Sequence, residues 1–78
     1  MKFEVYTRDG CPYCDKVKQV FEITKQEFEV RNLGVDFDRT AFYEKFGEGS
    51  TFPQVICDGR EIGGCTDTIQ YLREAKIL

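Results

Sequence analysis

The chain has 78 residues, 41% of them hydrophobic, and this length predicts one domain spanning residues 1–78. Eleven basic residues against fourteen acidic ones give a net charge of −3, which disfavours nucleic-acid binding because that function depends on clustered positive charge. Histidine is absent, so any chemistry depends on cysteine, carboxylate, tyrosine or basic side chains. We expect a cytoplasmic protein without membrane contact, since neither a long apolar run nor a secretory leader is visible.

Hydrophobic periodicity predicts strands and helices in the order β-α-β-α-β-β-α. In chain order these are a strand over 2–7, a helix from Pro12 to Thr24 with Cys11 as its cap, a strand over 27–33, a helix between Asp38 as its cap and Gly47, strands over 53–57 and 60–62, and a helix capped by Cys65 or Thr66. The β-α-β unit implies a parallel strand pair, and the Asp58-Gly59 turn implies a final hairpin. We therefore expect an α/β fold, with three helices packed on a mixed four-stranded sheet.

The segment Cys11-Pro12-Tyr13-Cys14 is the leading candidate for chemistry, because it opens a helix directly after a strand. Residues three apart in a first helical turn lie about 5–6 Å apart, within the span of a disulfide. Cys11 faces unpaired N–H groups at the positive end of the helix dipole, and Arg8 adds a nearby positive charge, which favours a thiolate of low pKa. Cys14 lies inside the turn and is less exposed. The main benefit of such a thiolate is that it leaves a mixed disulfide easily.

Other interpretations of the four cysteines are a disulfide framework, a zinc site and simple core packing. A disulfide framework fits a secreted protein better than this chain. A zinc site would need Cys57 and Cys65 as further ligands, and their spacing, together with the absence of histidine, argues against it. Cys57 follows Val55 and Ile56 in a predicted strand, which favours a core position. We expect no metal.

Two further motifs follow later in the chain. Thr51-Phe52-Pro53 precedes a strand, where a proline marks an edge, a bulge or a cis bond, or is simply a trans residue that starts the strand. Gly63-Gly64-Cys65-Thr66-Asp67 opens the last helix, where free N–H groups bind carboxylates; an ordinary flexible turn with a capped helix is the alternative.

In this order and at these separations, the three stretches resemble the dithiol glutaredoxins of the thioredoxin superfamily, and the resemblance covers nearly the whole chain. It implies a thioredoxin-like fold and a glutathione-dependent thiol–disulfide oxidoreductase. Cys11 would attack a glutathione mixed disulfide or a protein disulfide, and Cys14 would resolve the intermediate with a protein disulfide. The implied partners are glutathione, disulfide-containing or glutathionylated proteins, and reductases such as ribonucleotide reductase, with the chain acting as a monomer.

The resemblance also implies where glutathione binds. Pro53 would be cis, the Phe52 backbone would pair with the cysteinyl unit, and the start of the last helix would hold the γ-glutamyl end, with the Asp67 carboxylate on its amine. The glycyl carboxylate falls to Arg39, with Thr40 as the alternative. The full set of expected glutathione contacts is Arg8, Tyr13, Arg39, Thr51, Phe52, Pro53, Gly64, Cys65, Thr66 and Asp67.

Phe52 and Arg8 depart from the valine and lysine that the family more often has at these positions. The bulkier ring of Phe52 narrows the expected groove, while a backbone contact survives the change. Two rivals keep the fold: a redoxin reduced by thioredoxin reductase, and a carrier that binds an iron–sulfur cluster between two protomers through Cys11 and glutathione. The Gly63–Asp67 stretch and Arg8 argue against the first, and the stiffness of Pro12 argues against the second. We also expect Cys65, at a helix start beside the groove, to be open to oxidation or glutathionylation.

Overall fold

The computed structural model describes residues 1–78, and its elements follow the predicted order. In chain order they are β1 (Lys2–Thr7), α1 (Pro12–Ile23), β2 (Glu27–Asn32), α2 (Arg39–Phe46), β3 (Gln54–Cys57), β4 (Arg60–Gly63) and α3 (Cys65–Glu74). The sheet order is β2-β1-β3-β4, with β1 parallel to β2 and the other neighbouring strands antiparallel. This is the thioredoxin-like α/β fold that the sequence predicts. No helix combines the length and the apolar character needed to cross a bilayer.

The main core lies between one face of the sheet and the helices α1 and α3. In β1 the side chains of Phe3 and Val5 are fully buried and alternate with less buried neighbours, as period-2 patterning requires. The Phe3 ring stacks on Phe21 of α1 at a centroid distance of 4.4 Å. Cys57 belongs to the same core, so its predicted packing role is confirmed.

A second group of rings lies at α2, beyond the main core. We call this the aromatic cluster; it consists of Tyr6, Phe37, Phe42, Tyr43, Phe46 and Phe52. Tyr6 alternates with the inward-facing residues of β1, and its ring contacts Phe46 at 5.0 Å and Phe37 at 5.1 Å. Because alternate strand residues point to opposite faces, α2 covers the sheet face that α1 and α3 leave open.

Several predicted boundaries are wrong by one residue, each for a local reason. Helix α1 ends at Ile23 because Lys25 takes a positive φ of +56°, and the Gln26 N–H then donates to the Phe21 carbonyl at 2.9 Å. Strand β2 ends at Asn32 because its partner β1 ends at Thr7. The Leu33 N–H still donates to the Thr7 carbonyl at 2.9 Å, and the chain then turns at Gly34, whose φ is +87°. Strand β3 begins after Pro53, which has no N–H to donate.

The last strand and the last helix also differ from the prediction. Strand β4 continues through Gly63, which pairs with Val55 of β3. The cap of α3 is Gly64, rather than Cys65 or Thr66, and Cys65 is already helical. Glycine has no side chain to cap the helix, and Asp67 compensates from the third helical position: its carboxylate accepts the Gly64 N–H at 3.2 Å.

Candidate active site

The first turn of α1 holds the two cysteines of the leading motif. Cys11 and Cys14 are joined by a disulfide with a Cα–Cα distance of 5.2 Å, so the predicted pairing geometry is present. Cys11 caps the helix, and its sulfur accepts the backbone N–H of Cys14 at 3.1 Å. An N–H aimed at this sulfur stabilises negative charge on it when the disulfide is reduced. Cys11 is 3% exposed and Cys14 is fully buried, so Cys11 is the more accessible of the two residues.

The residues around this turn differ in what they contribute. Tyr13 lies between the two cysteines in the first turn of α1 and is 63% exposed. Arg8 is also exposed, and its guanidinium donates to the carbonyls of Asp9 and Gly10 at 3.2 and 3.5 Å. The Arg8 charge therefore lies over the β1–α1 loop, adjacent to the cysteines in sequence but engaged with backbone.

The loop before β3 presents free backbone groups. The Phe52–Pro53 peptide is cis, as expected. The Gln54 side-chain amide donates to the Thr51 carbonyl at 2.9 Å and ties the two ends of this loop together. Neither the N–H nor the carbonyl of Phe52 has a hydrogen-bond partner within the chain. An extended ligand can therefore pair with Phe52 as a short extra strand.

The start of α3 is held firmly while its N–H groups stay free. The Thr68 hydroxyl donates to the Gly64 carbonyl at 2.8 Å, and the Asp67 carboxylate accepts the Gly64 N–H. The N–H groups of Cys65 and Thr66 have no acceptor in the chain. Such groups at a helix N-terminus bind carboxylates.

A groove of about 210 Å³ connects these three stretches. Its walls are seven of the predicted site residues, namely Tyr13, Thr51, Phe52, Pro53, Gly64, Cys65 and Thr66. Arg8, Arg39 and Asp67 are not part of these walls: Arg39 is the exposed first residue of α2, and Asp67 lines a neighbouring depression while it caps α3. A methyl group added to Gly64 would lie 3.5 Å from the Pro53 carbonyl, so a side chain there would occupy space between the two walls.

The Cys65 thiol is less reactive than its place beside the groove suggests. It is 7% exposed, and burial raises the pKa of Cys65, while the charge of Lys16 lowers it to a smaller extent. A buried thiol of raised pKa holds little thiolate at neutral pH, which disfavours the expected oxidation or glutathionylation. Nowhere in the chain do three or more His, Cys, Asp or Glu side chains converge as metal ligands.

Sequence reasoning missed three residues that support the site. Gln54 and Thr68 fix the two walls through the hydrogen bonds described above, and Phe42 lies under the Phe52 ring at 4.1 Å. Phe42 was identifiable as a buried helix position from its spacing, but its contact with Phe52 is tertiary. Thr68 follows the cap residue Gly64 by four positions, where a hydroxyl commonly bonds the carbonyl one turn earlier.

Comparison with known proteins agrees with this geometry. The glutaredoxin family model matches residues 3–62. Glutaredoxin 1 of Rickettsia prowazekii (strain Madrid E) is 34% identical over 76 residues, covering 94% of this chain and 79% of that protein. The crystal structure of glutaredoxin 1 from Francisella tularensis, complexed with cacodylate, superposes with a TM-score of 0.81 at 32% identity and covers 96% of this chain and 95% of its own.

A second solved structure is similar over nearly the whole chain. The buckwheat glutaredoxin–glutathione complex has a TM-score of 0.80 at 26% identity, covering 96% of this chain and 71% of that one. The family model spans well over half of the chain, the Rickettsia relative matches nearly all of it, and both cysteines of the motif form the redox pair at the helix start. The chain therefore belongs to the glutaredoxin family and is a thiol–disulfide oxidoreductase of the dithiol type.

Proposed function

We propose that this chain is a glutathione-dependent oxidoreductase that reduces both glutathione–protein mixed disulfides and protein disulfides. The observation that carries the proposal is the set of unpaired backbone groups around the groove: the Phe52 N–H and carbonyl on one wall, and the Cys65 and Thr66 N–H groups on the other. Glutathione is a short extended peptide with a carboxylate at each end, so it can pair with the first wall and place a carboxylate at the second. The buckwheat complex supports the same ligand class.

In the proposed reaction with a mixed disulfide, the Cys11 thiolate attacks the glutathione sulfur. The Cys11–glutathione disulfide forms, and the protein thiolate leaves and takes a proton from water. The thiolate of a second glutathione then attacks the bound glutathione sulfur, releasing glutathione disulfide and restoring the Cys11 thiolate. Stabilisation of Cys11 by the Cys14 N–H makes Cys11 a good leaving group in this last step.

With a protein disulfide, Cys11 first forms a mixed disulfide with the substrate and displaces one of its thiolates. Cys14 then attacks Cys11, which releases the second substrate thiol and closes the Cys11–Cys14 disulfide seen here. Two glutathione molecules reduce that disulfide and become glutathione disulfide. The buried Cys14, held within a disulfide's span of Cys11, suits this resolving role.

The remaining contacts extend the proposal to the ends of glutathione. One Asp67 oxygen accepts the Gly64 N–H, which leaves the other oxygen for the γ-glutamyl amine. Arg39, or Thr40, would reach the glycyl carboxylate, and Arg8 would flank the bound tripeptide; both need exposed side chains to swing toward the groove. A single domain over residues 1–78, a monomeric state, a cytoplasmic location and ribonucleotide reductase as an electron acceptor stay predictions.

The test uses a glutathionylated peptide with glutathione, glutathione reductase and NADPH. We expect Cys11→Ser to abolish turnover, because it removes the nucleophile. Cys14→Ser should keep most of the activity with this substrate and lose the reduction of a protein disulfide. Turnover with thioredoxin reductase alone, or equal loss of mixed-disulfide activity in both variants, would contradict the proposal.

A further inference from the structure

The backbone and the ring of Phe52 have different surroundings. Its free backbone lines the groove, while its ring stacks on Phe42 at a centroid distance of 4.1 Å and an interplanar angle of 11°. Phe37 also stacks on the Phe52 ring, at a centroid distance of 6.2 Å and an interplanar angle of 23°. The Phe52 ring thus belongs to the aromatic cluster, although its residue lies in a loop.

The partner ring is itself held in place. Phe42 is 1% exposed and contacts Phe46 one helical turn later at 5.0 Å. Its N–H donates to the carbonyl of Asp38, the residue that caps α2. Tyr6 of β1 contacts Phe46 and Phe37, so the cluster is fixed to the centre of the sheet as well as to α2.

The backbone of the loop has other restraints on both sides of Phe52, since the Pro53 that follows it is fully buried. The Gln54 amide holds the Thr51 carbonyl, whereas the Phe52 N–H and carbonyl have no partner. A backbone that is to pair with a ligand must have its orientation set by something else, and the ring stack is the contact available at this residue. Stacked aromatic pairs contribute beyond the area that they bury, and they also fix ring orientation.

We propose that Phe52 is a positioning residue: by stacking on Phe42, it orients its own free backbone groups toward the ligand and thereby sets the preference for glutathione-containing disulfides. The inference rests on the proposed function and deepens it. It replaces the expectation that the Phe52 ring acts mainly by narrowing the groove. It also predicts that Phe42, which does not line the groove, influences the same preference through Phe52.

The experiment measures the single-turnover attack of the reduced protein on two probes, a glutathionylated peptide and hydroxyethyl disulfide, which contains no glutathione. For the peptide we expect Phe52→Leu to lower the second-order rate constant of this attack about fivefold, which corresponds to about 1 kcal/mol at 25 °C. Phe42→Leu should lower it about threefold, within the range of one aromatic pair. Rates with hydroxyethyl disulfide should stay within about twofold, since that probe makes no backbone pairing with Phe52.

The double variant and two controls separate positioning from structural damage. Phe42→Leu/Phe52→Leu should be about as impaired as Phe52→Leu alone, because residues acting as a unit are not additive. Phe52→Tyr keeps the ring and should stay within about twofold of the wild type on the same reasoning. Phe28→Leu removes a ring that packs on Phe21 at 5.4 Å, away from the groove, and should leave both probes unaffected.

The outcomes that would overturn this inference are distinct. An unaffected Phe42→Leu, a double variant showing the product of the two single losses, or an equal fall with both probes would each contradict positioning through the stack while leaving glutathione dependence in place. A wild-type protein with no preference for the glutathionylated peptide would overturn the proposed function, and this inference with it.

Discussion

Gly63 is a single residue on which the start of α3 depends. Its φ of +122° lies in the region that favours glycine, and an added Cβ would meet the Cβ and Cγ of Asp67 at 2.9 Å. The Asp67 carboxylate is also the group that accepts the Gly64 N–H. A side chain at Gly63 would therefore both strain the backbone and displace the capping carboxylate.

We accordingly expect Gly63→Ala to lower the free energy of unfolding by about 2–3 kcal/mol, from backbone strain and the lost cap together. Gly59→Ala is the matched control: Gly59 also has a positive φ, of +83°, but no atom lies within 4 Å of its added Cβ. Gly59→Ala should lower the free energy of unfolding by the backbone strain alone, about 1 kcal/mol. Urea denaturation measures both, and equal losses would mean that the contact with Asp67 contributes nothing.

At the scale of single residues, the sequence predicted the reactive cysteines better than the residues that hold the site in place. The Cys11–Cys14 pair follows from spacing at a helix start, and the structure holds it as a disulfide. The predicted cap of α3 was wrong because residues with a capping side chain were favoured. The actual cap is a glycine, and Asp67 bonds its N–H from inside the helix. The stacking of the Phe52 ring on Phe42 was not predictable, since it depends on a ring from another element.

At the scale of elements, the pair β1 and β2 carries a row of charges. The Lys2 ammonium lies 2.6 Å from the Glu29 carboxylate, and Arg31 bridges Glu29 at 2.8 Å and Glu4 at 3.4 Å. The hydrogen bond from Lys2, followed by the charges of Lys2 and Arg31, lowers the pKa of Glu29. β2 is an edge strand, so this row lies where the sheet is otherwise least supported.

Because the pKa of Glu29 is lower in the folded chain, its contribution to stability is present above the ordinary glutamate pKa and is lost as pH falls through the folded value. We expect Glu29→Gln to lower Tm slightly at neutral pH and to make Tm less sensitive to acidification. Glu44→Gln, on the exposed side of α2 and in no ion pair, is the control. Parallel Tm-against-pH curves for the wild type and Glu29→Gln would contradict the assignment.

The elements themselves were predictable because their periodicities are clean, as the buried alternation of β1 illustrates. Their ends were not, because backbone turns and the length of the partner strand decide them. Helix α1 ends where Lys25 takes a φ of +56° and the Gln26 N–H donates to the Phe21 carbonyl, and β2 ends where β1 has no residue after Thr7 to pair with. Such ends depend on local backbone geometry and on another element rather than on hydrophobic spacing.

At the scale of the whole molecule, the β-α-β-α-β-β-α order was sufficient to predict the sheet and its mixed pairing. It did not predict that α2 would join Tyr6, Phe37 and Phe52 into one aromatic cluster, because ring contacts between distant segments leave no local pattern. The fold brings the disulfide turn, the loop before β3 and the start of α3 to one groove. The chemistry depends on that convergence, because the groove lies beside the turn that carries the Cys11–Cys14 disulfide.

The most direct test of this account is the titration of Cys11 in the reduced, folded protein. The titration is read from the pH dependence of Cys11 alkylation, measured by peptide-resolved mass spectrometry. We predict a pKa for Cys11 below that of free cysteine, about 8.5, because the Cys14 N–H and the helix start favour the thiolate. Cys65, whose pKa burial raises, is the internal reference and should react far more slowly at about pH 6. A Cys11 pKa at or above that of free cysteine, or faster labelling of Cys65, would contradict the account.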